Sequence, residues 1–404
     1  MCLATFTRLV SVRATNAVDR ELTTIARSFD FLLQVTPANA DRARHAFERH
    51  ARQREPEFDY RPLIVDVALL KRRLYELPIE RLEDPTLAQL MAAARDELDR
   101  KLTMLADRNT PRFLYGSLSV YGSVSDSLRD VALALLTTSS REDEDEEDTE
   151  SADASMVNAT EFAHLAEAEL TLYREHYDAL STTVTIREDI SGLLVSDGQL
   201  LIGSRFNATP MRAMALLQHE IGTHVVTHSN GMAQPLGLFA TGLAGYEETQ
   251  EGLAVTAEYM TGALSPSRVR VLAARVIVVR AMTEGATFVD CHSTLMQQFG
   301  FAATTAFTIC MRVFRSGGLT KDAIYLRGLI DFLRYLGEGR DLEPLLLGKL
   351  ALVDVPPIEE LRWREYLKPP RLTPRFLTNP GAVDAMQRLR RGHPLPELLT
   401  GIST

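Results

Sequence analysis

Cysteine is scarce: Cys2, Cys291 and Cys310 are the three in a chain of 404 residues. So few thiols exclude a disulfide framework and point to a reducing compartment, taken here as the cytoplasm. Cys291 and Cys310 are expected to act as small buried hydrophobes. Long apolar runs are missing as well. No stretch approaches the roughly 18 uninterrupted apolar residues of a membrane helix, and the longest candidate, VRVLAARVIVVRAM, is broken by Arg275 and closed by Arg280. The first residues carry arginines and lack an apolar core of secretory length, so no signal peptide is expected in them. A basic surplus is also lacking. The net charge of −10 argues against a nucleic-acid surface. Tryptophan occurs once, and Trp363 is expected to anchor the proline-rich C-terminal segment on the body.

What is present is enough apolar residue, 45%, for a substantial core. It also includes one stretch on which the rest hangs. Met211 to His224 reads MRAMALLQHEIGTH, an apolar helix carrying the pattern H-E-x-x-x-H. Thr209 before Pro210 is a good helix start. Imidazole and carboxylate in the middle of a buried helix need partners, and a metal is the natural one. In the familiar zinc helix the two histidines stand at i and i+4. Here the spacing is one residue longer, which on a regular helix separates His219 from His224 by roughly 140°. A single π-type turn, with bonds from i to i+5, restores a shared face. Gly222 lies where a helix can most readily widen.

A third ligand is needed. Tyr246 to Met260 reads as a second helix, on which Glu251, Ala254 and Glu258 keep one face and Glu247 extends it. A set of His219, His224 and Glu251 leaves a fourth zinc position open for water, the catalytic pattern. Glu220 stands beside the first ligand, placed to take a proton from that water. His228 is an open alternative to Glu251, because His224 and His228 are i and i+4. His292 has no metal partner in the sequence and is expected to be structural.

HEIGTH followed by QEGLA resembles the QEGLA-motif proteins, named in bacteria as flavohaemoglobin expression-modulating, whose animal relatives are the microtubule-associated tyrosine carboxypeptidases. FDYRPL, LYELPIERLEDPTLAQL, YGSVSDSLRDVALALL and GGLTKDAIYLRG are similar to the family too, so the resemblance covers nearly the whole chain. It implies an α+β, zincin-like metallopeptidase. It puts His219, His224 and Glu251 on Zn2+, with Glu220 as base. It also implies cleavage at a peptide or protein C-terminus that releases an aromatic, tyrosine-like residue. It does not imply tubulin as the substrate here. A reading from another class is a non-catalytic metal-binding regulatory protein. The base beside the ligands argues for an enzyme.

Along the chain, residues 1–136 read as a helical part that shapes one wall of a cleft. Residues 137–153, TTSSREDEDEEDTESAD, are too acidic and too poor in apolar residues to fold, and read as a disordered loop. Residues 154–404 read as the catalytic part, mostly helical with a small sheet beside the motif helix. STTVTIREDI and GLLVSDGQLLIG alternate as strands, with Ser196-Asp197-Gly198 as a hairpin turn. Leu200 to Arg205 is a candidate substrate-binding edge. Arg312, Arg315 and Lys321 cluster around Gly317-Gly318, followed by Tyr325. An arginine there suits a substrate carboxylate, and the tyrosine suits an oxyanion. The segment from Leu342 onward shows no chemistry.

Overall fold

Short-range signals start several of the helices. Asp30, Asp66 and Asp84 accept from the amides of Leu33, Leu69 and Leu87, three residues on. Pro85 follows Asp84 at the first helical position, where its missing N–H costs nothing. Asn158 with Glu161 and Thr287 with Asp290 form capping boxes. A computed structural model describes residues 2–138, 156–190, 192–392 and 395. It is α+β and mostly helical, with small sheets. The acidic stretch lies, from residue 139 on, outside the described residues.

The sheets are small because strand-like alternation is confined to the neighbouring segments STTVTIREDI and GLLVSDGQLLIG. β1 (Val157–Asn158) pairs antiparallel with β5 (Asn207–Ala208). β2 (Val184–Arg187), β3 (Leu193–Ser196) and β4 (Gln199–Gly203) form a sheet of order β2-β4-β3. The β3–β4 hairpin turns at Asp197 (φ 43°) and Gly198 (φ 75°), both in the left-handed region that a two-residue hairpin demands. The expectation of an edge at Leu200 to Arg205 is corrected here. β4 is the central strand, parallel to β2 and antiparallel to β3. Both of its hydrogen-bonding sides are taken, and Leu200 and Ile202 are fully buried. The terminal strand on the motif-helix side is β3.

Two hydrophobic clusters meet at the motif. The smaller gathers Phe162, Leu170, Leu200, Ile202, Leu217, Ile221 and Val225, packing the helix Ala159–Arg174 and the sheet onto the motif helix. The larger joins N-terminal residues such as Leu22, Leu74 and Phe113 to Leu253, Val276 and Phe332 from later helices. His219 and His224 therefore ride on a helix rooted in one cluster, and Glu251 on a helix rooted in the other. That second helix, Tyr246–Met260, crosses the helix Ile324–Gly337 at back-to-back glycines. A Cβ on Gly252 would meet the Gly328 carbonyl oxygen at 2.3 Å, and one on Gly328 would meet the Glu248 oxygen at 2.1 Å. Only hydrogen fits at either place, which accounts for the glycine in QEGLA.

Trp363 does not anchor the C-terminal segment; it is 84% exposed. Amide side chains perform that role. Asn230 exchanges hydrogen bonds of 2.8 Å with the Leu372 backbone, and Gln234 bonds of 2.9 Å with Lys368. Leu361, Leu372 and Phe376 add the apolar contact. His292 is a core residue, with its Nε2 3.2 Å from the Ala303 carbonyl and its ring against Phe47. Cys291 and Cys310 are buried free thiols.

Candidate active site

The motif helix begins as an α-helix, Pro210–Leu217, capped by Thr209 Oγ1, which accepts from the Arg212 amide at 3.2 Å. It then widens into a π-helical stretch, Gln218–Val225, and returns to α over Val226–Met232. The widening is the turn that the five-residue spacing requires. Thr223 Oγ1 donates to the Gln218 carbonyl across those same five residues. Gly222 keeps this turn uncrowded: a Cβ would lie 2.7 Å from Gln218 Oε1 and 3.3 Å from the Phe376 ring, so the Gln218 side chain would have to move.

The wider turn brings the two imidazoles together, with ring centroids 5.1 Å apart and planes crossing at 79°. Their Nε2 atoms converge on one carboxylate oxygen. Glu251 Oε2 lies 3.5 Å from His219 Nε2 and 3.8 Å from His224 Nε2. The ligand atoms of these three residues all lie within 4.8 Å of one another. Glu251 Oε2 is buried and has no hydrogen-bond partner. An orphaned buried carboxylate oxygen facing two imidazole nitrogens is an arrangement that a cation would satisfy. Two imidazoles and one carboxylate are donors suited to zinc. His228 does not join this group. Its Nδ1 is 3.2 Å from the Ala240 carbonyl, and its ring lies under Gly198 of the hairpin, where a Cβ would come within 2.4 Å of it.

The outer ring nitrogens are held as well. His219 Nδ1 is 2.8 Å from Glu258 Oε1, so its hydrogen points at Glu258 and its Nε2 at the site. Glu258 is fully buried and is itself paired with Arg212 at 2.6 Å and Arg268 at 3.3 Å. Sequence reasoning missed this role, although Glu258 stands seven residues after Glu251 on the same helix face. His224 Nδ1 lies 3.5 Å from Gln250 Oε1, which also accepts from Thr227 at 2.7 Å. Burial, aided by the nearby charges of His219 and Lys349, brings His224 down to about 3, the neutral state that a ligand needs. Burial opposes protonation of His219, but Glu251 and Glu258 outweigh it and lift it to about 9, so a metal binding at Nε2 must displace a proton there.

Glu220 lines the same cavity, whose volume is about 340 Å³. Burial, reinforced by Glu251 and Glu258 against the pull of His219 and Arg212, raises it to about 7. A carboxyl near neutrality can both accept and return a proton. The N-terminal helical part supplies a wall of the cavity through Phe29, Phe31, Leu98 and Lys101, and β3 supplies another through Leu193 to Ser196. Ser196 Oγ donates to Asp30 at 2.6 Å and ties the two walls together.

The residues expected to contact substrate divide. Arg312, Lys321 and Tyr325 line the cavity. Arg312 is already engaged in a two-pronged pair with buried Asp322, at 2.6 and 3.0 Å. Lys321 lies 2.9 Å from Glu247 and 3.4 Å from Glu251, and helps hold Glu251 well below the usual carboxylate range against burial. The Tyr325 ring has the cations of Arg275, Lys321 and Arg312 at 5.1, 5.4 and 5.8 Å. Arg315 is buried outside the cavity lining, its Nη1 donating to Thr36 Oγ1 at 2.8 Å. Lys349, which lies beyond Leu342, also lines the cavity. Burial brings its ammonium down to about 8.

No helix among the described residues is long and apolar enough to cross a membrane. No curated protein matches the chain. Among solved structures, the chain is similar to a protein from Colwellia psychrerythraea classed provisionally as a lipoprotein, at 14% identity and a TM-score of 0.47. That match covers 73% of this chain and 66% of the other, just under two thirds of its length. The family profile described as microtubule-associated tyrosine carboxypeptidase matches residues 45–393, a span that contains the whole site, and by that match the chain belongs to this family.

Proposed function

We propose that the protein is a zincin-like metallo-carboxypeptidase that removes a residue from a peptide or protein C-terminus, with an aromatic residue preferred. The observation that carries this reading is the convergence of His219 Nε2, His224 Nε2 and the unpartnered Glu251 Oε2 beside Glu220 in one cavity. Family membership adds the C-terminal direction and the aromatic preference. Residues 154–404 carry the site's reacting groups, and residues 1–136 contribute a wall.

His219, His224 and Glu251 would hold a zinc ion, which supplies a Lewis acid for the scissile carbonyl and acidifies water. The chain's own residues do the rest. Glu258 fixes the His219 tautomer through Nδ1, and Gln250 steadies His224. Glu220 takes the proton from the attacking water and delivers it to the leaving amine, a double duty that suits a carboxyl near neutrality. The Tyr325 hydroxyl donates to the oxyanion that develops on the carbonyl. β3, the terminal strand of its sheet, offers backbone groups to an extended substrate, as in strand addition to a sheet edge.

Metal analysis of the purified protein should give about one zinc per chain, as a single three-ligand site implies. His219→Ala and His224→Ala should lose it. Glu220→Gln should keep the zinc and lose hydrolysis of tyrosine-terminated peptides by about 100-fold or more, since an amide cannot accept the proton. Full zinc occupancy in either histidine variant, or undiminished hydrolysis in Glu220→Gln, would remove the reading. A purely metal-binding protein would instead show zinc without any hydrolysis in the wild type.

A further inference from the structure

We propose that Lys349 is the group that reads the free α-carboxylate of a peptide C-terminus in the cleft. The inference rests on the carboxypeptidase reading for its substrate class but on separate observations for its residue.

A buried ion requires a counter-ion or a strong set of hydrogen bonds. The cations that line the cavity can be checked one by one. Arg27 lies 3.0 Å from Asp197. Lys101 lies 2.8 Å from Glu97 and 2.7 Å from Glu247. Arg312 is paired with Asp322, and Lys321 with Glu247 and Glu251. Lys349 is 8% exposed and, among the described residues, has no carboxylate within ion-pair distance. Its ammonium has a ring for company instead, with Nζ 5.7 Å from the Tyr246 centroid. Tyr246 already carries Lys101 at 5.8 Å.

The position is built rather than incidental. The Lys349 amide donates to the Phe239 carbonyl at 2.8 Å, and its carbonyl accepts from the Leu243 amide at 2.9 Å. Gly348 permits this approach, since a Cβ there would lie 2.6 Å from the Phe239 oxygen. The backbone is thus clamped on both sides of the lysine, and the side chain is directed into the cavity that also holds Glu220 and His224. In a carboxypeptidase a single residue, about 3.5 Å of chain, separates the scissile amide from the terminal carboxylate. The cation that reads the carboxylate must therefore share the cavity with the base. Lys349 does so. Arg315, which also lacks a carboxylate partner, lies outside that lining.

The test uses the full chain in the Glu220→Gln background, so that bound peptide is not consumed. An N-blocked tetrapeptide ending in tyrosine, as free acid and as amide, is titrated calorimetrically. The acid should bind at least tenfold more tightly than the amide, as expected for a charge-assisted bond. Adding Lys349→Met or Lys349→Gln should shrink that ratio to within about twofold, while Lys349→Arg and Arg315→Lys should retain it. Zinc content should stay equal in all of them. The thermal midpoint of peptide-free Lys349→Met should be no lower than that of its parent, which a structural lysine would not allow. Acid preference that survives in Lys349→Met, or that disappears in Arg315→Lys instead, overturns the assignment. The carboxypeptidase reading is judged separately, on the wild type. Hydrolysis of acid peptides with a Lys349-independent acid preference sinks the lysine alone. Lys349-dependent binding without wild-type hydrolysis sinks the peptidase reading alone.

Discussion

Two segments that line the cleft carry their cations in opposite ways. Arg312 to Tyr325 brings arginine and lysine together with their carboxylates: Asp322 lies inside the same segment, and Glu247 and Glu251 face it from the neighbouring helix. Gly348-Lys349, clamped against Phe239 and Leu243, brings one lysine and no carboxylate within ion-pair distance. The first arrangement is a finished electrostatic structure. Its charges hold Glu251 in place and surround the Tyr325 ring. The second is incomplete until an anion arrives. The number of charges in a stretch is therefore a poor guide to ligand binding, and the missing partner is a better one.

The contrast can be broken most forcefully at Asp322. It is fully buried and pairs with Arg312 and, at 3.5 Å, with Arg275. Asp322→Asn would leave two partly buried guanidinium groups without their buried carboxylate, and urea unfolding should show a loss of about 3 kcal/mol. Lys349→Met should show no loss by the same measurement. If the two variants destabilised alike, the distinction between the segments would collapse.

A smaller effect sharpens the role of Tyr325. Tyr325→Phe keeps the ring among its cations and deletes only the donor. The kcat on tyrosine-terminated peptides should fall by about 100-fold, the size expected for one oxyanion donor, with KM little changed. A rise in KM at constant kcat would mean that the hydroxyl binds ground-state substrate instead. The smallest effect is expected outside both segments. Trp363 is largely exposed, so Trp363→Ala should change stability by no more than about 0.5 kcal/mol. A larger drop in the unfolding midpoint would restore the anchoring role that its chemistry suggests and its position denies.

The parts of this protein that could be read directly are those governed by neighbours in the chain. Thr209 and Pro210 start the motif helix, and Asp84 and Pro85 start another, because a cap acts within a single turn. The π-helical turn follows from the spacing of His219 and His224, since no regular helix gives both histidines one face. The Asp197-Gly198 hairpin is equally local. Glu251 could be reached from a helical repeat and an open coordination position, and Glu258 could have been reached by the same repeat.

The rest depended on pieces far apart in sequence. β4 became the central strand because β2 pairs with it from the far side, and alternation alone does not specify pairing. Arg312 and Arg315 are three residues apart, yet one lines the cleft and the other bonds Thr36 of the N-terminal part, beyond the helix end at Phe314. Gly252 and Gly328 explain each other only when their helices cross. Lys349 acquires meaning only from what is missing around it, and a missing carboxylate can be recognised only after every nearby chain segment has been placed. Helix starts and ligand spacing are set by short-range geometry. Burial, pairing and the direction of a side chain are set by packing, in which residues hundreds of positions apart have equal weight.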